Sequence, residues 1–197
     1  MAQEIDRQAF RLTLSRLVQL FLGSGIRGTI IGGLAVSVWS RERFTRDIDA
    51  VTTAANEDLD RLLSVAVELG LAARLDEPAA FARQSRMILL RDTETGLDVD
   101  IAMAGFPFEF DAIDRAATVN LAGVAIPVAQ ADDIIIMKAV AGRRIDFADI
   151  VEILKSNPPL DLTRVRRYLD QFGEAVDDPG LTGRFEELVR EAEGPPA

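Results

Sequence analysis

The sequence predicts an α/β (α+β) fold, with strands and helices in the first two-thirds of the chain and helices alone in the last third. Residues 4–22 carry apolar side chains at helical spacing, and two glycines end that helix. Short apolar runs of strand length follow, separated by glycine-containing turns. The composition changes near residue 130, which predicts a core of residues 1–130 and a C-terminal helical part of residues 131–197. Both parts together are also compatible with one domain.

The individual elements follow from local patterns. Asn56 has the character of a helix N-cap, and the acidic residues after it favour the helix dipole. A glycine-containing turn at residues 92–96 predicts a hairpin. The predicted strands are residues 27–31, 47–52, 71–75, 85–91, 97–103, 117–121 and 124–128. The predicted helices begin at residues 4, 34, 56, 108, 131, 146, 161 and 181, and residues 77–82 form a short helix or loop.

Composition narrows the chemistry. The 197 residues include no Cys and no His, which excludes disulfides, thiol nucleophiles, zinc–thiolate sites and the commonest general base. Carboxylates with a hard metal ion such as Mg²⁺ remain available. The net charge of −10 argues against broad binding to nucleic acid, although Arg41, Arg43 and Arg46 form a local basic group. No apolar run approaches the ~18 residues of a membrane helix, and the N-terminus does not resemble a signal peptide, so a cytoplasmic protein without membrane association is predicted.

One stretch carries the best-formed constellation. Gly32 and Gly33 lie between an apolar strand and a helix. The next predicted strand contains Asp47 and Asp49, which share a face because alternate side chains of a strand point the same way. Two carboxylates beside a glycine turn at a helix N-terminus predict a site for a divalent cation and a phosphate.

Together these residues resemble the signature of the nucleotidyltransferase (polymerase-beta-like) superfamily: two glycines, an Asp-x-Asp pair, and a third acidic residue on a later strand. Asp100 is the best match for the third carboxylate, and Asp98 on the same strand face is its rival. A helix that carries Lys138, followed by Asp146 and Asp149, resembles a segment of small nucleotidyltransferase-like toxins of abortive-infection and toxin–antitoxin systems. The resemblance covers residues 25–155.

The resemblance implies a minimal mixed β-sheet flanked by helices. It also implies an enzyme that moves a nucleoside monophosphate from an NTP such as ATP to an acceptor hydroxyl on tRNA, a protein or a small molecule. A cognate antitoxin is the implied partner. Mg²⁺ (or Mn²⁺) would be held by three carboxylates, one of which, Asp100, would also serve as the base. The implied metal ligands and catalytic residues are Asp47, Asp49 and Asp100, and the implied nucleotide-binding residues are Gly32, Gly33, Arg46 and Lys138.

Several residues also fit simpler structural roles. Arg46 fits either a phosphate contact or a counter-charge for the aspartates, and Lys138 fits a helix residue that extends its amine to solvent. Asp146 and Asp149 fit the first turn of a helix or pairing with neighbouring arginines. Two other functions compete with the implied one: an aminoglycoside-type adenylyltransferase, and a non-catalytic binding or regulatory protein with the same fold.

Overall fold

A computed structural model describes residues 7–41, 47–156 and 158–194 of the chain. Within these ranges the strands are β1 (Gly28–Ile30), β2 (Asp47–Thr52), β3 (Leu71–Ala73), β4 (Met87–Asp92), β5 (Asp98–Met103), β6 (Ala117–Leu121) and β7 (Val124–Val128). The helices are α1 (Arg7–Ser24), α2 (Gly32–Trp39), α3 (Leu59–Glu68), α4 (Pro78–Ser85), α5 (Pro107–Asp114), α6 (Ala131–Ala141), α7 (Arg144–Ser156), α8 (Leu162–Ala175) and α9 (Leu181–Glu193). A short 3₁₀ turn (Asn56–Asp58) precedes α3.

The seven strands within the described ranges form one mixed sheet with the order β3-β4-β5-β2-β1-β7-β6. The pairs β2–β5 and β1–β7 are parallel, and the other neighbouring pairs are antiparallel. The prediction of an α/β fold with a mixed sheet and helices is therefore confirmed. Several boundaries differ from the prediction by one to three residues. The difference that concerns the site is that α2 begins at Gly32 rather than at Leu34, so the two glycines are the first residues of the helix.

The central strands of the sheet have one apolar and one polar face. On β5, and on β2 as far as Ala50, buried side chains alternate with half-buried or exposed ones. The apolar face carries Ile48, Ala50, Val99 and Ile101, and beyond the acidic pair the opposite face of β2 is covered at Val51. Helix α1 lies on this apolar face, where Phe21 fills the space beside Gly28. The opposite face keeps its polar side chains accessible, which makes it the face on which a site can form.

A buried carboxylate at the end of β4 fixes α1 to the β4–β5 hairpin. The Asp92 side chain is fully buried and accepts a hydrogen bond of 2.9 Å from the Thr13 hydroxyl and one of 2.5 Å from Arg16. It also accepts from the backbone N–H groups of Glu94 and Thr95 in the turn. Because all of these donors bind the Asp92 carboxylate, they account for its burial. Asp92 is therefore a structural residue and does not belong to the candidate site.

The chain separates into two compact units, which are the described residues of Met1–Leu34 with Phe44–Ala129, and those of Ala35–Arg43 with Gln130–Ala197. The first unit contains the whole sheet. In the second, α6 contacts α7 and α8, and α9 contacts α7 and α8. The predicted domain boundary at residue 130 stays a prediction. In the part of the chain that the structure describes, none of the helices has the length and apolar character needed to cross a membrane.

Candidate active site

Four carboxylates lie together on the polar face of β2 and β5, which we call the carboxylate face. The parallel register places Asp47 opposite Asp98 and Asp49 opposite Asp100. Neighbouring strands are about 4.8 Å apart, so each pair of carboxylates lies side by side. Their side chains are half-buried except that of Asp47, which is exposed. The structure thus brings Asp47, Asp49 and Asp100 together as neighbours, with Asp98 beside them.

The glycine turn meets the carboxylate face at Asp49. The Ile31 N–H donates a 2.9 Å hydrogen bond to the Asp49 carbonyl oxygen, which joins the end of β1 to β2. Gly32 follows with a left-handed φ of +64°, and a Cβ atom built at this position would overlap the Asp49 carboxylate. Only glycine suits both the backbone conformation and the close approach. The first turn of α2, which includes Gly33, therefore begins directly beside Asp49.

Two arginines from the edge of the sheet also reach the carboxylate face. Arg74, directly after β3, donates 2.9 Å to Asp98 through Nη1 and pairs with Asp100 through Nη2. Arg91 on β4 lies opposite Asp98 in the antiparallel register and holds it with two hydrogen bonds of 2.6 and 3.0 Å. Sequence reasoning missed both residues. The predicted hairpin carried a signal for Arg91, because the strand register alone pairs it with Asp98.

The two carboxylates on β5 have different protonation behaviour. Hydrogen bonds from Arg91, helped by Arg74, outweigh burial and hold the pKa of Asp98 below its ordinary value. Burial raises the pKa of Asp100, against the effect of the Arg74 charge, and the neighbouring Asp98 and Asp47 raise it further. The two arginines therefore favour the ionised form of Asp98, whereas burial and the neighbouring carboxylates disfavour that of Asp100.

The donor chemistry of the carboxylate face fits a hard divalent cation. Mg²⁺ and Mn²⁺ prefer carboxylate oxygens, and the face supplies oxygen donors without competing sulfur or imidazole ligands. Among the residues that the structure describes, no group of three or more acidic side chains is already arranged to hold a metal ion. The Oδ1 atom of Asp100 instead accepts a hydrogen bond from Arg74.

A match to a known family places these residues in context. The sequence model described as "Nucleotidyl transferase AbiEii toxin, Type IV TA system" matches residues 14–195. The chain belongs to this family. The AbiEii model includes both units, so the helices after residue 130 are part of the family's shared sequence. No curated protein sequence matches the chain.

Solved structures show the same fold for this AbiEii family member. An antigenic nucleotidyltransferase-like protein from Paracoccidioides brasiliensis superposes with a TM-score of 0.54 at 16% identity, over 89% of this chain and 92% of the other. The antibiotic-resistance factor ANT(2'')-Ia gives 0.56 at 16% identity, over 90% and 98%. The lincosamide antibiotic adenylyltransferase LnuA, with lincomycin bound, gives 0.52 at 16% identity, over 73% and 96%. At this identity the similarity shows the nucleotidyltransferase fold alone.

The remaining predicted residues of this AbiEii protein lie in the second unit or outside the described ranges. The Lys138 amine forms ion pairs of 2.9 Å with Asp146 and 2.7 Å with Asp149, and all three side chains are buried. Arg143 adds a 2.7 Å contact to Asp146. Asp146 and Asp149 thus both contact Lys138 and lie near the start of α7. Arg46, like Arg43 in the same basic group, lies outside the residues that the structure describes.

Proposed function

We propose that this AbiEii family member transfers a nucleoside monophosphate from an NTP to an acceptor hydroxyl, with Mg²⁺ or Mn²⁺ as its cofactor. One observation carries the proposal: Asp49 lies between the glycine start of α2 on one side and Asp100 of the neighbouring strand on the other. A phosphate at the helix N-terminus would therefore be adjacent to the carboxylates that prefer a divalent cation.

The proposed site residues of the first unit have different roles in metal binding, phosphate binding and proton transfer. Asp47, Asp49 and Asp100 would hold the cation, which, when bound, neutralises charge on the triphosphate and activates the attacking hydroxyl. The backbone N–H groups at Gly32 and Gly33 would donate to phosphate oxygens, because the missing Cβ at Gly32 leaves the backbone accessible. Asp100 is also the proposed base that accepts the proton of the acceptor hydroxyl, as the sequence resemblance implies.

On the strength of the sequence resemblance alone, Lys138 in the second unit stays a proposed nucleotide-binding residue. The carboxylates of Asp146 and Asp149 hold its amine in one position through ion pairs of 2.9 and 2.7 Å. These two aspartates are therefore positioning residues in the proposal rather than metal ligands. Arg46 stays a proposed phosphate contact on the strength of the sequence resemblance alone.

The family supports a regulatory partner and a toxic role for the proposed transfer. The matched family consists of toxins of type IV toxin–antitoxin systems, which supports a toxic acceptor modification and a cognate antitoxin. An RNA, in particular a tRNA, a protein or a small molecule offers the required hydroxyl. The two antibiotic-modifying neighbours share only the fold, so they do not favour a small-molecule acceptor.

Label transfer tests the proposal directly. Purified protein is incubated with each α-³²P NTP, Mg²⁺ or Mn²⁺ and a cell extract, and the RNA, protein and small-molecule fractions are separated. We expect label in one fraction, its loss with a chelator, and its loss in the Asp47→Asn and Asp49→Asn variants. Asp60→Asn is the matched control, because its carboxylate is 86% exposed on α3 and Asp60 is not one of the proposed site residues. Label transfer that survives both site substitutions would overturn the proposal.

A further inference from the structure

The guanidinium of Arg74 occupies a bridging position on the carboxylate face. Its Nη1 atom donates to Asp98 and its Nη2 atom to Asp100. The Arg74 side chain is only 23% exposed, and its buried Nε atom has no hydrogen-bond partner among the described residues. The two carboxylates are thus the polar groups that hold this cation in place.

Asp98 is anchored independently of Arg74. Arg91 donates to both of its carboxylate oxygens, at 2.6 and 3.0 Å, from the neighbouring strand. The same Oδ2 atom also accepts from Arg74. With both oxygens engaged by arginines, Asp98 is poorly placed to serve a metal ion, but it is well placed to retain Arg74. Among the residues that the structure describes, Asp100 pairs with Arg74 and with no second arginine.

We propose that Arg74 is an internal counter-cation that competes with the divalent metal ion for Asp100. We further propose that Asp98 keeps its contact with Arg74 when Asp100 binds the metal ion. The inference rests on the proposed function, since it concerns the same metal site. The guanidinium occupies one lone-pair direction of the Asp100 Oδ1 atom, and its positive charge next to the site opposes a doubly charged ion. Without the metal, Arg74 relieves the repulsion among four neighbouring carboxylates.

This assignment gives Arg74 two opposite effects. It stabilises the metal-free protein, because it neutralises part of the carboxylate face, and it weakens metal binding, because the ion must displace it from Asp100. The same assignment distinguishes Asp98 from Asp100, which are the two candidates for the third metal-binding carboxylate. Asp100 exchanges one cation for another, whereas Asp98 is a positioning residue that stays paired with Arg91 throughout.

Calorimetric titration of the full-length protein with Mn²⁺ tests the competition without using activity. Arg74→Met is expected to bind Mn²⁺ roughly ten-fold more tightly than the parent, because a competing and repelling charge is removed. Its melting temperature without metal should fall, and the increase on addition of Mn²⁺ should be larger. Arg61→Met is the control for net charge, since Arg61 is 57% exposed on α3 and, within the described part of the chain, forms its ion pair with the nearby Asp58. The control should bind Mn²⁺ as the parent does.

Asp98→Asn, measured in two backgrounds, tests the retaining role. In the parent background, Arg74 is left with Asp100 as its carboxylate partner, so Mn²⁺ binding should weaken roughly ten-fold. In the Arg74→Met background the same change should weaken binding no more than about three-fold, the effect of one screened charge. An equal loss in both backgrounds would make Asp98 a metal ligand and overturn the assignment. Circular dichroism verifies the fold of each variant. Arg74→Lys keeps the positive charge without the two-pronged guanidinium, so its affinity for Mn²⁺ should lie between those of the parent and Arg74→Met.

Failure of this inference differs from failure of the proposed function. If the parent and Arg74→Met bind Mn²⁺ equally tightly, the competition is overturned while the metal site stands. If the parent, Arg74→Met and Arg74→Lys all fail to bind Mn²⁺ at millimolar concentration, the metal site itself is overturned, and the competition with it.

Discussion

Replacement of Gly32 by alanine should damage this protein more than the same replacement at a comparable glycine. Gly32 has a φ of +64°, and an added Cβ atom would overlap the Asp49 carboxylate. Gly25 has nearly the same φ, +65°, but an added Cβ atom there would have no heavy atom within 4 Å. The two positions therefore share the backbone cost and differ only in the close approach to Asp49.

The magnitude can be worked out from these two contributions. A left-handed conformation costs a non-glycine residue about 1–2 kcal/mol, which is the whole expected effect of Gly25→Ala. Overpacking typically costs a further 1–3 kcal/mol, so Gly32→Ala should destabilise the protein by about 2–5 kcal/mol. Because the clash pushes on the Asp49 side chain, the Gly32 variant should also lose label transfer, while the Gly25 variant should keep it.

Urea unfolding followed by circular dichroism measures the first effect, and the α-³²P assay measures the second. Equal destabilisation of Gly32→Ala and Gly25→Ala, together with unchanged label transfer by the Gly32 variant, would refute the argument that close packing against Asp49 requires glycine. A loss of stability at Gly32 with normal label transfer would refute only the link from packing to catalysis.

Two further predictions concern buried carboxylates outside the carboxylate face. Burial opposes ionisation of Asp146, but hydrogen bonding from Arg143 and Lys138 outweighs burial and lowers the pKa of this group. Ionised Asp146 therefore contributes stability above the ordinary Asp pKa of about 3.9. That contribution is lost as the pH falls through the lower pKa of Asp146 in the folded protein. Melting temperatures between pH 6 and pH 3 should therefore fall more steeply for the parent than for Asp146→Asn, and parallel curves would contradict this. Asp92→Ala should cost about 3–5 kcal/mol in urea unfolding, because it leaves buried donors unpaired and leaves Glu94 as the remaining ion-pair partner of Arg16 within the described ranges. Asp60→Ala on the surface should change stability by less than about 0.5 kcal/mol. Similar values for the two variants would show that Asp92 does not hold the hairpin.

Much of the first unit was accessible from the sequence because its signals are local. The alternation of apolar and acidic residues in β2 and β5 predicted which side chains share a face, and the structure keeps that alternation. The hairpin at residues 92–96 was predicted from its turn residues. Helix boundaries were less accurate, as at Gly32, because the backbone conformation of a glycine at a helix start depends on the tertiary contact with Asp49.

The ion-pair partners of Asp98, Asp100 and Lys138 were not predicted from the sequence. Asp98 and Asp100 are equivalent in the sequence, since both alternate with apolar residues on one strand. They differ only because Arg91 reaches Asp98 across a strand pair and Arg74 approaches from the end of the edge strand. Likewise, the pairing of Lys138 with Asp149 depends on how α6 packs against α7.

The sequence by itself determined the class of fold, the chemistry left open by the absence of His and Cys, and the acidic pair beside a glycine turn. These properties depend on residue type and on periodicities of two and 3.6, which are local. Only the tertiary structure decided that Asp49 and Asp100 are neighbours and that an arginine bridges the two carboxylates of β5. Strand order and register, which join residues far apart in the chain, set those contacts, and no local pattern encodes them.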